Sequence, residues 1–104
     1  MGKAARSNKE DAASRLRAMM NNGASVWYTR HAERDELPAD GIAKIDVENM
    51  LRRCSVGLIE DRGGEETWHA QGKDNDGRAL TVVVVAYDDT NSIKVITGWA
   101  GKRT

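Results

Sequence analysis

Two side chains suited to phosphate chemistry, His31 and Arg34, lie three residues apart in the sequence. On a helix this spacing places both side chains on one surface. An imidazole can transfer a proton near neutral pH, and a guanidinium stabilises negative charge on a phosphoryl group. The same spacing also fits a structural interpretation, in which His31 makes a buried hydrogen bond and Arg34 solvates the helix. The pair is therefore a hypothesis for a phosphoryl-transfer site.

Further candidates occur in the second half of the chain. Arg78 follows an Asp-Gly turn, so its guanidinium is expected at the end of a strand, where an ordinary charged turn residue is the alternative. His69 alternates with Trp68 along a predicted strand, and burial of Trp68 would put His69 at the surface or in a cleft. Thr97 is followed by a strand glycine, which favours a bulge or a close backbone approach. Tyr87 ends the strand that Arg78 begins.

The cysteine and histidine content excludes several kinds of site. Cys54 is the only cysteine, so neither an intrachain disulfide nor a thiolate metal cluster can form. Cys54 continues an apolar helical stripe and is predicted to be a core residue rather than a nucleophile. The two histidines lack acidic partners at zinc-ligand spacing. We therefore predict neither a metal nor a cofactor.

Charge and hydropathy point to a cytoplasmic protein without a membrane segment. No stretch has the length of a signal peptide core or a bilayer span. The 16 basic and 16 acidic residues give a net charge of zero, without the basic excess typical of nucleic-acid-binding proteins. The tryptophans are not interleaved with basic residues, so Trp27 and Trp99 are predicted to be core or lid residues rather than base-stacking platforms.

The first half of the chain, which must position His31, is predicted to be helical. Residues 7–10 fit a capping box, with a serine at the N-cap and a glutamate three residues later. Apolar residues at helical spacing follow, and the helix is predicted to end at residues 21–23. Tyr28 and His31 then share one face of a second helical segment. Pro38 disfavours a helical conformation at Leu37.

A change of hydrophobic period marks the second half. A third helix is predicted to begin near Asp46 and to end at Gly57. Apolar residues then alternate with a period of two, and four consecutive valines suit a central strand that is covered on both faces. The predicted strands are residues 56–60, 66–72, 79–87 and 93–99.

Together these elements predict an α+β fold, in which two to three N-terminal helices pack on one face of a four-stranded antiparallel meander. The 104 residues are enough for one domain. We assign residues 1–23 to a basic tail with an accessory helix and residues 24–104 to the α+β domain.

Several short motifs, in their order along the chain, resemble the bacterial domain of unknown function 4258 family. The resemblance covers roughly residues 26–99 and rests on His31-Ala32-x-x-Arg34, Ile42-x-x-x-Asp46-Val47, Leu51, Asp76-Gly77-Arg78, Val82 to Val85 and Val95-Ile96-Thr97. This family is in turn similar to the RelE-like and BrnT-like toxins, which are compact helix-plus-sheet domains and often RNA endonucleases.

The resemblance implies a RelE-like fold and a metal-independent endoribonuclease of a toxin–antitoxin or mobile-element system. In such an enzyme the 2′-hydroxyl of RNA attacks the adjacent phosphate, and a cognate antitoxin or another protein partner restrains the activity. By analogy His31 would be the general acid or base, Arg34 and Arg78 would hold the phosphate, and Thr97 would position the substrate. The candidate substrate-binding residues are Tyr28, Arg30, Tyr87 and His69.

A second interpretation keeps the fold without the chemistry. The protein would then be a non-catalytic protein-binding or regulatory module, such as a phage or mobile-element anti-defence protein. The neutral net charge favours this alternative, whereas the co-occurrence of the four candidate catalytic residues favours the nuclease. Convergence of His31, Arg34, Arg78 and Thr97 in one accessible cleft would support the enzyme.

Overall fold

The computed structural model describes residues 7–101, which form a five-stranded mixed sheet with all of their helices on one face. The predicted α+β class is confirmed, and the predicted tail at residues 1–6 lies outside the described residues. No helix within residues 7–101 is long and apolar enough to cross a membrane. The elements are α1 Lys9–Asn21, β1 Ser25–Tyr28, a π-helical turn Ala32–Glu36, α2 Leu37–Ala39, α3 Lys44–Leu51, β2 Ser55–Arg62, β3 Glu65–Lys73, β4 Ala79–Tyr87 and β5 Ser92–Ala100.

The sheet has the order β1-β5-β4-β3-β2. Strands β2 to β5 form the predicted antiparallel meander, but β1 adds a fifth strand that runs parallel to β5, from Ser25 opposite Ser92 to Tyr28 opposite Val95. The prediction of a helical face joining Tyr28 to His31 is therefore wrong. Residues 25–28 carry a Val-Trp-Tyr run, and β-branched and aromatic side chains favour a strand over a helix.

The helical segment after β1 begins on Thr29. The Thr29 hydroxyl accepts a hydrogen bond from the Ala32 N–H at 3.1 Å, and it donates one to the Ile96 carbonyl of β5 at 3.2 Å. A single side chain thus caps the segment and fixes it to the sheet. Threonine is favoured at such a position because its oxygen replaces a missing backbone acceptor.

The segment stays helical through Leu37, contrary to the prediction from Pro38. Leu37 has α-helical angles of φ −69° and ψ −45°, and its N–H bonds to the Ala32 carbonyl five residues back. This π-helical turn widens the helix just before the proline. The wider turn accommodates a ring that would collide with the preceding turn of a regular α-helix.

Three predicted helix boundaries are also corrected. The N-cap of α1 is Asn8 rather than Ser7, because the Asn8 side chain accepts the Asp11 N–H at 2.8 Å. Helix α3 begins at Lys44, and the Asp46 carboxylate accepts the Ala43 N–H at 3.0 Å, so Asp46 lies inside the first turn. This helix ends at Leu51. Cys54 follows it in a loop and is buried, as predicted.

The core lies between the helices and one face of the sheet. Trp68, Ala70, Val82, Val84 and Val95 face the helices, and they share one buried cluster with α1 and α3 residues that include Leu16, Met50 and Leu51. All four valines of β4 are buried, but the described helices cover only one side of this strand. The opposite side of the sheet is termed the open face, and it carries Thr67, His69, Val83, Thr97 and Trp99.

Candidate functional site

His31 lies on the surface of the helical segment between two carboxylates. Its Nδ1 is 3.1 Å from Asp35 Oδ2, its Nε2 is 3.1 Å from Glu36 Oε2, and 66% of its side chain is exposed. A carboxylate can only accept a hydrogen bond, so Nδ1 is the donor in the contact with Asp35. His31 is therefore held in an anionic environment.

Glu36 connects His31 to Thr97. The Thr97 hydroxyl donates to Glu36 Oε1 at 2.9 Å, while the other carboxylate oxygen faces His31. Two of the four predicted catalytic residues thus meet through a residue that the sequence analysis did not identify. The π-helical turn explains this contact, because the wider turn brings residues five positions apart onto one side of the helix.

Arg78 does not join this group. Its Nε donates to Asp74 Oδ2 at 3.0 Å, and its Nη1 and Nη2 donate to the carbonyls of Asp40 and Gly41 at 2.7 and 3.1 Å. The N–H of Arg78 is the main cause of a lowered pKa of Asp74, and the guanidinium lowers it further. Arg78 therefore ties the β3–β4 hairpin to the end of α2.

Arg30 and Arg34 remain exposed on the helical segment. Neither guanidinium forms a hydrogen bond or an ion pair with another side chain of residues 7–101. Both charges are thus available to an anionic partner. Arg34 follows His31 on this segment, whereas Arg78 is bound to Asp74 and to the carbonyls of Asp40 and Gly41.

The two tyrosines lie on opposite faces of the sheet. Tyr28 faces the helices and donates its hydroxyl hydrogen bond to Glu48 Oε2 at 3.0 Å, so it fastens β1 to α3. Burial and the neighbouring Glu48 carboxylate raise the pKa of Tyr28. Tyr87 lies on the open face and donates to Glu65 Oε2 at 3.3 Å. Only Tyr87 shares a face with Thr97.

The open face contains a cavity of about 210 Å³ that includes two of the predicted residues, His69 and Thr97. Thr67, also in the cavity wall, is 3% exposed, and its hydroxyl forms no hydrogen bond with residues 7–101. A buried hydroxyl without a partner costs about 1–3 kcal/mol. A polar occupant of the cavity could supply that hydrogen bond. This space, termed the His69 cavity, is lined by Arg62, Thr67, His69, Val83, Ile96, Thr97 and Trp99.

His69 is paired with a carboxylate. Its Nε2 lies 3.1 Å from Glu60 Oε1, and only 16% of its side chain is exposed. This hydrogen bond is the main cause of a lowered pKa of Glu60, so Glu60 is ionised and Nε2 is the donor. Arg62 Nη2 is 3.5 Å from the same carboxylate oxygen. A proton donor, a proton acceptor and a cation therefore meet at this cavity.

A larger groove of about 620 Å³ adjoins the His69 cavity. His69 and Trp99 line both spaces, and their rings meet edge to face with centroids 6.1 Å apart. The groove also contains Gln71 and Thr81, whose polar side chains could orient a ligand. The groove alone already has the volume of a small-ligand site.

Trp99 and Trp27, both predicted to be core or lid residues, differ in their burial. Trp99 is partly buried in the wall of the His69 cavity. Trp27 is 47% exposed on the open face, so its assignment to the core is wrong. It lies on the short edge strand β1, where no further strand covers it within residues 7–101.

Glu60, Arg62 and Thr67 were not among the candidate residues selected from the sequence. Thr67 pairs with Glu60 across β2 and β3, and His69 pairs with Leu58. Alternation along β2 would have placed Glu60 and Arg62 on the face of His69, but only with the register known. A bulge between Val56 and Leu58 shifts that register. Within residues 7–101, no three His, Cys, Asp or Glu side chains are grouped as metal ligands.

Comparisons with known proteins identify no relative. The chain matches no protein-family model, no curated protein and no solved structure at a significant level.

Proposed function

We propose that this protein is a metal-independent endoribonuclease whose active site is the His69 cavity. The observation that carries the proposal is the contact of Glu60 with His69 and Arg62, two side chains that line the cavity together with Thr67, whose hydroxyl has no partner within residues 7–101. The resemblance of the sequence to the domain of unknown function 4258 family supports an RNA substrate. His31, the residue implied by that resemblance, is placed outside the cavity and reaches it only through Glu36 and Thr97.

The proposed reaction is attack of the RNA 2′-hydroxyl on the adjacent phosphorus. Glu60 accepts the proton of the 2′-hydroxyl as the O2′–P bond forms. His69 gives a proton to the departing 5′-oxygen as the P–O5′ bond breaks. The products are a 2′,3′-cyclic phosphate and a free 5′-hydroxyl. Glu60 suits the acceptor role because its lowered pKa leaves the carboxylate ionised, and the imidazole of His69 lies within hydrogen-bond distance of it.

Arg62 and Thr67 are assigned to the phosphate. The Arg62 guanidinium is 69% exposed, so it can leave its 3.5 Å contact with Glu60 to bind a phosphoryl oxygen. The Thr67 hydroxyl would donate its free hydrogen bond to another phosphoryl oxygen. Such donors stabilise charge that increases in the transition state. Thr97, held by Glu36, is assigned to positioning the substrate.

The test compares the two histidines as a matched pair. Wild type, His69→Ala and His31→Ala are incubated with a mixed RNA pool and a chelator. We expect His69→Ala to lose about 10²–10⁴-fold in rate, which is the contribution of a general acid, and His31→Ala to keep most of the activity. Loss in His31→Ala alone would move the active site to the His31–Glu36–Thr97 group. Equal rates in all three proteins would overturn both assignments.

A non-catalytic protein-binding module is the second candidate. The observation that favours it is the use of the Arg78 guanidinium in structural hydrogen bonds, which removes a cation that the resemblance assigns to the phosphate. No cleavage by folded wild type would select this function. A cognate antitoxin or other protein partner, met in the cytoplasm, belongs to both candidates.

A further inference from the structure

A second group of side chains on the open face combines a cation with two aromatic rings. Trp27 on β1 lies directly opposite Lys94 on β5. The Lys94 ammonium is 5.6 Å from the centre of the Trp27 ring and 5.9 Å from that of the Tyr87 ring. These contacts hold the ammonium between the two rings. The three residues are termed the aromatic–lysine platform.

The platform is available to a ligand. Trp27 is 47% exposed, although tryptophan usually buries most of its large apolar surface. The Lys94 ammonium forms no ion pair with a carboxylate of residues 7–101. Its contacts are with ring faces, which leave an anion free to approach. The platform thus presents a flat apolar surface together with an uncompensated positive charge.

A nucleotide matches both features, because its base has a π-face and its phosphate is an anion. Exposed aromatic rings beside cations are the usual means by which proteins bind single-stranded nucleic acids. Bases within a duplex are stacked and cannot lie on such a ring, so only a base of an unpaired strand fits this surface. An acidic peptide would use the charge of Lys94 but would leave the Trp27 ring without a planar partner.

The platform also lies in line with the His69 cavity. Lys94 and Thr97 belong to the same strand and face the same side of the sheet, opposite Val85 and Val83. A bulge in the pairing between Val83 and Val84 brings both Lys94 and Thr97 to this side, and their partners on β4 are two residues apart, or about 7 Å at the usual rise of a strand. This distance allows one strand of RNA to reach the cavity and the platform together.

We propose that the aromatic–lysine platform binds a nucleotide flanking the cleaved one, so that the substrate is single-stranded RNA. This inference rests on the proposed function for the identity of the ligand. The base stacks on Trp27, and Lys94 binds the adjacent phosphate. Tyr87, fixed by its hydrogen bond to Glu65, supports the ammonium from the other side.

Binding is measured separately from cleavage, with a fluorescein-labelled oligoribonucleotide whose 2′-hydroxyls are methylated and which therefore cannot be cleaved by 2′-attack. We expect Trp27→Ala to weaken binding about tenfold, the usual effect of removing one stacking ring. Trp27→Phe keeps a ring and should retain most of the affinity. A hybrid of the same oligonucleotide with its complement should bind much more weakly to wild type.

The role of Lys94 is tested through salt dependence. Each lost phosphate contact with a single strand lowers the slope of log affinity against log salt by about 0.7. Lys94→Gln should show this reduction. Lys9→Gln is the matched control, because it removes the same charge from α1, on the helical side of the sheet. An unchanged thermal melting temperature verifies that each variant is folded. If Trp27→Ala does not fold, Lys94→Gln alone tests the platform.

The results separate this inference from the proposed nuclease activity. One outcome overturns only the inference about the platform: His69→Ala abolishes cleavage, but Trp27→Ala and Lys94→Gln leave binding unchanged. Binding that depends on both residues, without any cleavage, supports the platform and overturns the nuclease. Absence of oligonucleotide binding by wild type overturns the platform.

Discussion

The Asp74 carboxylate accepts two hydrogen bonds from Arg78, one from the backbone N–H at 2.8 Å and one from Nε at 3.0 Å. The guanidinium continues to the carbonyls of Asp40 and Gly41. One side chain thus joins a hairpin loop, with its buried carboxylate, to the loop that follows α2. The Asp-Gly-Arg motif thereby acquires a structural explanation that does not depend on phosphate chemistry.

From these contacts we predict that Arg78→Gln lowers the free energy of unfolding by about 2 kcal/mol, because two carbonyl oxygens lose a charged donor. Urea denaturation measures this change. Arg34→Gln is the control, because the exposed guanidinium of Arg34 has no hydrogen bond or ion pair within residues 7–101. This substitution should change the free energy of unfolding by less than about 0.5 kcal/mol. Equal stability of the two variants would contradict the role assigned to Arg78.

The ionisation of Glu60 predicts the acid side of the pH–rate profile. The hydrogen bond from His69 lowers the Glu60 pKa below its ordinary value of 4.5. Activity should therefore rise with pH below 4.5, as the carboxylate becomes able to accept a proton. Glu60→Gln should remove this rise and reduce kcat by about 10²–10⁴-fold. An unchanged acid limb in Glu60→Gln would exclude Glu60 as the base.

Gly98 of β5 sets how closely the helical segment packs on the sheet. A Cβ at this position would lie 2.9 Å from Leu37 Cδ2 and 3.2 Å from the Thr81 carbonyl oxygen. We predict that Gly98→Ala costs about 1–3 kcal/mol in unfolding free energy, because the side chain overpacks a close contact. The same substitution should cost less in a Leu37→Ala background, where part of the clash is gone. Strictly additive effects would show that the two residues do not touch.

Tyr28 predicts a loss of stability in alkali. Its raised pKa means that the unfolded chain releases the phenolic proton near the ordinary value of 10.0, while the folded protein keeps it. The contribution of the neutral Tyr28 hydroxyl to the free energy of unfolding is therefore complete below pH 10. It is lost as the pH rises from 10 toward the higher pKa of the folded protein. Urea denaturation across this range should show a smaller decrease for Tyr28→Phe than for wild type. Equal slopes would place Tyr28 outside the buried contact with Glu48.

The strands of the meander were predicted well because each has a clear local signal. Alternation, the Asp-Gly turn and the valine run located β4 within its observed bounds of Ala79–Tyr87. Residues 25–28 gave no comparable signal, since four residues are too few to establish a period. Their strand is stabilised by pairing with β5, which lies almost seventy residues away in sequence.

In the candidate site, too, some residues could be predicted from local sequence and others only from long-range contacts. His31, His69 and Thr97 could be selected from residue type, because few side chains carry out acid–base chemistry near neutral pH. Their partners could not be selected in this way. Glu36 reaches Thr97 across 61 positions of sequence, and Glu60 reaches His69 through a bulged pairing. Glutamates are common on protein surfaces, so the sequence alone could not distinguish Glu36 and Glu60 from the other acidic residues.

Local periodicity and side-chain hydrophobicity are enough to predict the α+β class, the order of helices before the meander, and the burial of the valine strand and Cys54. Long-range contacts are needed to show that β1 completes the sheet, that Arg78 is bound to carbonyl and carboxylate partners, and that His69 shares a cavity with Thr67 and Thr97. These depend on strand register and on the π-helical turn, because a one-residue shift in either would turn different side chains toward the site.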